Sequence, residues 1–396
     1  MSNRRAGPIS SWWRRVKRGE KRAVLATGAA AVVAILLAVA AVVYSGQRPD
    51  DPVSVAIEGS TPVNATMYRD PQLQAIAAAR EDSRFASIAE TPQAKWFSDW
   101  STTATVRHDI RDYLWGATLA NAIPTIVLYR IPHLDCGGPI PGDQVYTGAR
   151  DDQEYRNWVD GAAAALKGHV NAIVILEPDA LPQLGQCEQG DRTGTLRYAV
   201  DTLSATGARV YIDAGHENWL TAAEAADRLK KVDVDKVAGF SLNVSNFNTT
   251  QGEVRYAESV RIELSMIGVT DAHYVIDISR NGAGSQDSTC NPPGARIGQS
   301  PQLFHGGSLD GLLWVKNPGE TDGSACRGGP DVGFWPAAAL GLLGLEAAQA
   351  TGARSTTGWI VLSIAGVAAL AAVLGFAIGK RRGGGRKTRT LDADLS

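Results

Sequence analysis

The sequence holds few of the residues that announce a chemistry outright. Its four cysteines among 396 residues are too few for a disulfide-dense miniprotein, and they lack the close spacing of a zinc site. There is no HExxH or CxxC pattern, no GxSxG elbow and no glycine-rich phosphate loop after a strand. Metal-assisted hydrolysis, serine-nucleophile chemistry and nucleotide chemistry therefore lack support, and no metal and no cofactor is expected. A formal net charge of −2 leaves no basic footprint for a nucleic-acid partner. With 44% apolar and 20% charged residues, the chain is foldable, and its length allows one large domain or two ordinary ones.

The small net charge conceals a partition. Residues 23–44 (AVLATGAAAVVAILLAVAAVVY) and 359–379 (WIVLSIAGVAALAAVLGFAIG) carry no charge, and each is long enough to span a bilayer core of about 30 Å. The segment before the first run carries +7 and the segment after the second carries +4, which leaves −13 on residues 45–358. The excess of Lys and Arg at both ends predicts two transmembrane helices in the cell membrane, both termini cytoplasmic and the middle segment extracytoplasmic. A cleaved secretory signal is the alternative reading of the first run. All four cysteines, Cys136, Cys187, Cys290 and Cys326, fall in the outer segment, where an oxidising compartment favours two disulfides. Three pairings are open. The sequential one, closing a separate loop with each pair, is expected.

Residues 45–62 and 351–358 read as linkers, which makes 63–350 a single domain. Within it, apolar runs at 94–98, 123–129, 170–176, 208–212, 237–242, 273–278 and 311–315 read as strands buried on both faces. Apolar residues at three- and four-residue intervals make 153–166 a helix with one buried face, and 194–206 and 221–231 look similar. Seven strands with crossover helices predict an α/β fold, either a βα barrel or a doubly wound sheet.

In such folds reactive groups sit at the C-terminal ends of the strands. Polar residues gather at those places here: Tyr129 and Asp135 after the second strand, Glu177 and Asp179 after the third, and Asp213 and His216 after the fourth. Asn243 follows the fifth, Asp277 closes the sixth, and Lys316, Glu320 and Asp322 follow the seventh. Like charges repel and resist desolvation, so a carboxylate cluster points to use, and in a cleft it can hold an acid and a base together. Chemistry by carboxylates alone is characteristic of glycoside hydrolysis. Ten tryptophans supply faces on which sugar rings stack, and Trp219, in a polar stretch beyond Asp213, is the best placed of them.

The segments VLYRIPHLDCGG (127–138), VILEPDAL (174–181), YIDAGHENWL (211–220), GFSLNVSNFN (239–248), CNPPGARIG (290–298) and LLWVKNPGETDG (312–323), followed by CRGGPDVGFWP (326–336), together resemble glycoside hydrolase family 6, the inverting β-1,4-glucanases. Their order and spacing match over about 275 residues. The resemblance implies a distorted seven-stranded parallel β/α barrel acting on a β-glucan oligo- or polysaccharide. It maps the general acid onto Asp179, the assisting aspartate onto Asp135 and the candidate base onto Asp322. Substrate-binding positions map onto Tyr129, Asp213, His216, Trp219, Asn243, Lys316 and Glu320, and the family's disulfides onto Cys136–Cys187 and Cys290–Cys326. Like-charge repulsion from Asp135 would keep Asp179 protonated until it meets the glycosidic oxygen. Three positions depart from the family pattern. Leu134 stands where an arginine is usual, Pro139-Ile140-Pro141-Gly142-Asp143 replaces a loop of small residues, and Thr289 stands where an aromatic is frequent. A glycan-binding protein of impaired catalysis on the same fold is the alternative reading, and an envelope scaffold is the third.

Overall fold

The structure, a computed structural model, describes residues 59–137, 148–285, 290–324 and 328–345, with only the backbone of Asp135 and Gly137. The two apolar runs, their basic flanks, the 139–143 loop, Thr289 and Cys326 lie outside the described residues. Among the described residues no helix is long and apolar enough to cross a membrane.

The strands are β1 (Thr61–Val63), β2 (Lys95–Phe97), β3 (Thr125–Leu128), β4 (Ile173–Leu176), β5 (Arg209–Asp213), β6 (Gly239–Leu242), β7 (His273–Asp277), β8 (Gln302–His305) and β9 (Leu309–Leu313). The helices are α1 (Gln74–Glu81), α2 (Ala86–Glu90), α3 (Val106–Leu119), α4 (Asp152–Leu166), α5 (Arg192–Ser204), α6 (Ala222–Lys231), α7 (Thr250–Met266) and α8 (Pro336–Leu342). They form one nine-stranded sheet of order β1-β8-β9-β7-β6-β5-β4-β3-β2. The seven strands from β9 to β2 in that order are joined by parallel ladders, and β8 joins β9 and β1 in antiparallel fashion.

All seven expected strands are present, their ends within three residues of the expected ones. The pattern that makes them legible is visible in β4. Ile173 and Ile175 face an inner core with Val127, Tyr211, Val275 and Leu313, whereas Val174 and Leu176 face the helices. Both faces are buried, so β-branched residues run without interruption. The helices begin where sequence chemistry places caps: Asp151 accepts from the Glu154 N–H at 2.8 Å, Asp191 from Gly194 at 2.9 Å and Thr249 from Gly252 at 3.1 Å.

Two expectations change. The expected distorted seven-stranded barrel is a curled, mostly parallel sheet, open at one seam, with two antiparallel strands added. At the seam, β2 meets the end of β9 without a ladder: the Ala94 N–H donates to the Trp314 carbonyl at 2.9 Å and the Trp96 indole to the Val315 carbonyl at 2.8 Å. β1 also begins inside the expected 45–62 linker. It is three residues long and mostly exposed, so neither apolar alternation nor length marks it.

Candidate active site

The C-terminal ends of the parallel strands form a rim, and most of its acids are buried. Glu177, the first residue past β4, is 1% exposed. Its carboxylate accepts the Arg130 N–H at 3.0 and 3.1 Å and the Ile131 N–H at 3.0 Å, tying the β4 end to the turn after β3. Burial pushes it up to about 7, against the pull of those N–H groups. Asp213 closes β5 and is also 1% exposed. It accepts the Asp179 N–H at 2.9 Å, the Ser241 hydroxyl at 3.2 Å and the Gly215 N–H at 3.3 Å. Burial raises it to about 7, with Asp277 pushing the same way.

Asp277 closes β7. One oxygen accepts from Ser279 (2.9 Å) and Val315 (3.1 Å), and the other from Lys316 (2.9 Å) and Ser245 (3.0 Å). Three strand ends thus carry a carboxylate that accepts from the backbone of neighbouring loops. Asn243 belongs with them. It is fully buried, and its amide donates to the Asp277 and Asn248 carbonyls at 2.8 and 3.2 Å and accepts from the Asn248 N–H at 3.1 Å. Asn243, expected at a substrate-binding position, thus has its amide hydrogen-bonded to the end of β7 and to the loop after β6.

Other expected site residues keep surface toward the cleft. Asp179 is half-buried and left-handed, with φ +69°. Tyr129 is half-buried and packs edge-on against Trp96, with ring centroids 5.4 Å apart. His216 and Trp219 lie 5.5 Å apart in the loop after β5. Burial lowers His216 to about 4, and its Nδ1 accepts the Asn218 N–H at 3.2 Å, so the ring is neutral at ordinary pH. Asp135 lies in the short 3-10 turn Leu134–Gly137. Leu134 is 2% exposed and belongs to the apolar core.

Asp322 sits in a cationic clamp. The Arg280 Nη1 reaches both its oxygens at 2.8 Å, the Lys316 Nζ lies at 3.3 Å, and the Asn291 N–H donates at 2.9 Å. Burial alone would raise it, but Arg280 and Lys316 outweigh burial and hold it at about 2. A carboxylate that acidic is a weak proton acceptor, which does not suit an unaided base. Glu320, two residues earlier, is raised by burial, against the pull of Lys316 and Lys95. Beside it lies a hollow of about 260 Å³ lined by Phe247, Arg280, Asn291, Glu320 and Trp335 among others.

Cys136 and Cys187 are joined, with Cα atoms 5.6 Å apart. Cys290 is also disulfide-bonded. Among the described residues no cluster of three or more His, Cys, Asp or Glu side chains could hold a metal ion.

Sequence reasoning did not single out Arg280 as the partner of Asp322. It also passed over Glu253, in the first turn of α7, which is 0% exposed. One Glu253 oxygen accepts the Glu217 N–H at 3.1 Å, so the residue props the loop that carries His216 and Trp219. Burial pushes it up to about 8. A helix-first-turn glutamate reads in sequence as a dipole partner, and only the packing shows that it is buried.

Residues 60–339 match the family described as Glycosyl hydrolases family 6. Endoglucanase A of Cellulomonas fimi is 43% identical over 275 residues, covering 68% of this chain and 58% of that protein. Endoglucanase A of Thermobispora bispora is 39% identical over 290 residues, covering 68% of this chain and 61% of that protein. The chain thus spans about three fifths of the length of these two relatives. The endoglucanase Cel6 from Mycobacterium tuberculosis, solved in complex with a methyl-cellobiosyl-4-deoxy-4-thio-β-D-cellobioside, superposes with a TM-score of 0.65 at 39% identity, over 72% of this chain and 98% of that one. With the match running through the rim acids and both ends of the curled sheet, the chain belongs to glycosyl hydrolase family 6.

Proposed function

We propose that this chain is a glycosidase that cleaves β-1,4-linked glucan with inversion. The observation that carries the proposal is the contrast between two cleft carboxyls. Asp179 is held by its own backbone against the buried Asp213, whereas Asp322 is fixed as an anion by Arg280 and Lys316. Two carboxyls in such unlike surroundings divide the labour of glycosidic cleavage.

In this reading Asp179 gives its proton to the leaving glycosidic oxygen. Asp322 stays ionised and stabilises the positive charge that develops on the sugar ring. It orients the attacking water, whose proton passes to solvent as the new C–O bond forms, because its own affinity for a proton is low. Trp219 and Tyr129 offer ring faces to the sugars, and Lys316 and Glu320 offer polar groups to the hydroxyls. The relatives' names, endoglucanase in each case, support β-1,4-glucan as substrate.

The same proposal places the domain outside the cell membrane, tethered by the apolar runs at 23–44 and 359–379. The charge-free length of both runs and the excess of Lys and Arg beyond them support it. β1 runs parallel to β9 through the intervening antiparallel β8, and the Ser60 hydroxyl lies 3.5 Å from the carbonyl of Leu309, the first residue of β9. The chain therefore enters the fold at the end of the sheet opposite the rim.

The full chain, purified in detergent, is expected to release reducing sugar from soluble β-glucan. Asp179→Asn is expected to lower kcat by about 10²- to 10⁴-fold while oligosaccharide binding persists. Binding without turnover in the wild type would refute the glycosidase and favour the binding protein. Protease treatment of intact cells tests the topology: a protected domain would refute the extracytoplasmic placement.

A further inference from the structure

The turn after β3 and the turn after β4 are held together by a buried carboxylate and a buried guanidinium that face no substrate. Glu177 (1% exposed) takes the Arg130 and Ile131 N–H groups of the β3 turn. Arg192 (2% exposed), the first residue of α5, donates the other way. Its Nη2 reaches the His133 carbonyl at 2.6 Å and the Pro132 carbonyl at 3.0 Å, while Nη1 reaches the Ala180 carbonyl, next to Asp179, at 3.5 Å.

The backbone they hold is costly. Glu177 (φ +49°), Asp179 (φ +69°), His133 (φ +59°) and Cys136 (φ +53°) are all left-handed without being glycine. Such residues persist only when their surroundings over-determine them. The Cys136–Cys187 bond holds the residue next to Asp135 but leaves the backbone next to Asp179 to noncovalent contacts. A general acid works only if its carboxyl meets the glycosidic oxygen within a few tenths of an ångström, so this backbone geometry controls the rate.

We infer that Glu177 and Arg192 are paired positioning residues, which clamp the Asp135 turn to the Asp179 turn and so set the relative placement of the two catalytic-type aspartates. Glu177 supplies acceptors to one turn, and Arg192 supplies donors to both. Neither touches a reacting atom. The charges are complementary as well: Arg192 lies close enough to pull the buried Glu177 carboxyl toward ionisation, while burial resists it. The inference rests on the glycosidase reading for its kinetic consequence but not for its structural one.

The test uses the full chain with Glu177→Gln and Arg192→Lys. In Glu177→Gln one acceptor oxygen becomes an amide NH₂ facing backbone N–H groups. Arg192→Lys cannot fork to two carbonyls of one turn while reaching the other. Each variant is expected to lower kcat on soluble β-glucan by roughly ten- to a hundredfold. KM should stay unchanged, and the alkaline limb of the kcat profile should move, because the proton donor is displaced while the sugar-binding rings are not. Unchanged kcat in both, or kcat and KM drifting together in proportion to a lowered melting temperature, would overturn the clamp. Hydrogen exchange gives a readout free of activity. Amides 130–137 should exchange faster in Glu177→Gln while β5 to β7 keep wild-type protection, and unaltered exchange at 130–137 would overturn the clamp even if the wild type hydrolyses no glucan. A wild type without turnover whose 130–137 amides still loosen in Glu177→Gln refutes the glycosidase reading alone.

Discussion

The two ends of the curled sheet solve the same problem in opposite ways. Each must bring polar groups to the interior of a sheet whose middle is filled by aliphatic side chains. At the N-terminal end, four side chains satisfy one another. Asp310 accepts from the Tyr211 hydroxyl at 2.5 Å, from His273 Nδ1 at 3.0 Å and from Arg209 at 3.0 Å, and Arg209 also reaches the Tyr211 oxygen at 2.8 Å. At the C-terminal end, the buried acids turn to backbone N–H groups. Glu177, Asp213 and Asp277 spend their oxygens on loops. Seven of the nine left-handed non-glycine residues among the described residues also lie at this end; the other two, Asn121 and Asp233, are in turns that lead into strands. Side-chain pairing makes a plug and asks nothing of the backbone. Carboxylates that hold backbone keep loops in conformations they would not adopt alone, and those loops carry Asp179, His216, Lys316 and Asp322. The concentration of left-handed backbone at one end marks where the chemistry lies.

Substitution at matched acids breaks the comparison most directly. Asp277→Asn retains shape but turns one oxygen, now accepting from Ser245 and Lys316, into a donor facing donors. A loss of about 2–4 kcal/mol in urea unfolding is expected, together with a fall in kcat, since Lys316 and the Asp322 loop lose their anchor. Asp310→Asn, at the other end, weakens the contacts with Arg209 and His273. Both of those partners keep some solvent, so about 1–2 kcal/mol is expected there, with kcat unchanged. If Asp310→Asn lowers kcat as much as Asp277→Asn, the two ends are not functionally distinct.

The contrast also explains what could be read from the sequence. The seven parallel strands were legible because burial on both faces leaves uninterrupted runs such as Ile173-Val174-Ile175-Leu176. The rim was legible as a place, because acids recur after those runs. What each acid does was not. Asp213, Asp277 and Asp179 have the same formula and similar positions relative to their strands, yet two are stapled to backbone and one keeps surface toward the cleft. That difference depends on which loop N–H groups come within 3 Å, a property of tertiary packing. The hydrogen bonds of Asn243 were hidden for the same reason: an amide at a strand end suits a hydroxyl of sugar as well as a carbonyl of Asp277. The pairing of Arg280 with Asp322 spans 42 residues and carries no local signal.

The smallest effect expected is a difference in pH response between the two ends. Glu177, Asp213 and Glu253 have folded values pushed above those of ordinary carboxylates, to about 7, 7 and 8. Between pH 5 and 8 the native chain therefore holds protons that the unfolded chain has released, and stability must fall as pH rises through that window. Asp322 and Asp310 have the opposite sign. Their contribution is present above the unfolded carboxylate value and is lost only as pH falls below it, so they leave the window untouched. His273 is raised chiefly by its hydrogen bond to Asp310, so its contribution is present at low pH and is also lost as pH climbs through its folded value. Melting temperatures from pH 5 to 8 should decline in the wild type, and the decline should be shallower in Glu253→Gln, which removes a rim group. His273→Gln should flatten it less, because that ring is more than a third exposed and water screens its ion pair. A larger flattening in His273→Gln than in Glu253→Gln would place the pH-sensitive part of the fold at the plug instead of the rim.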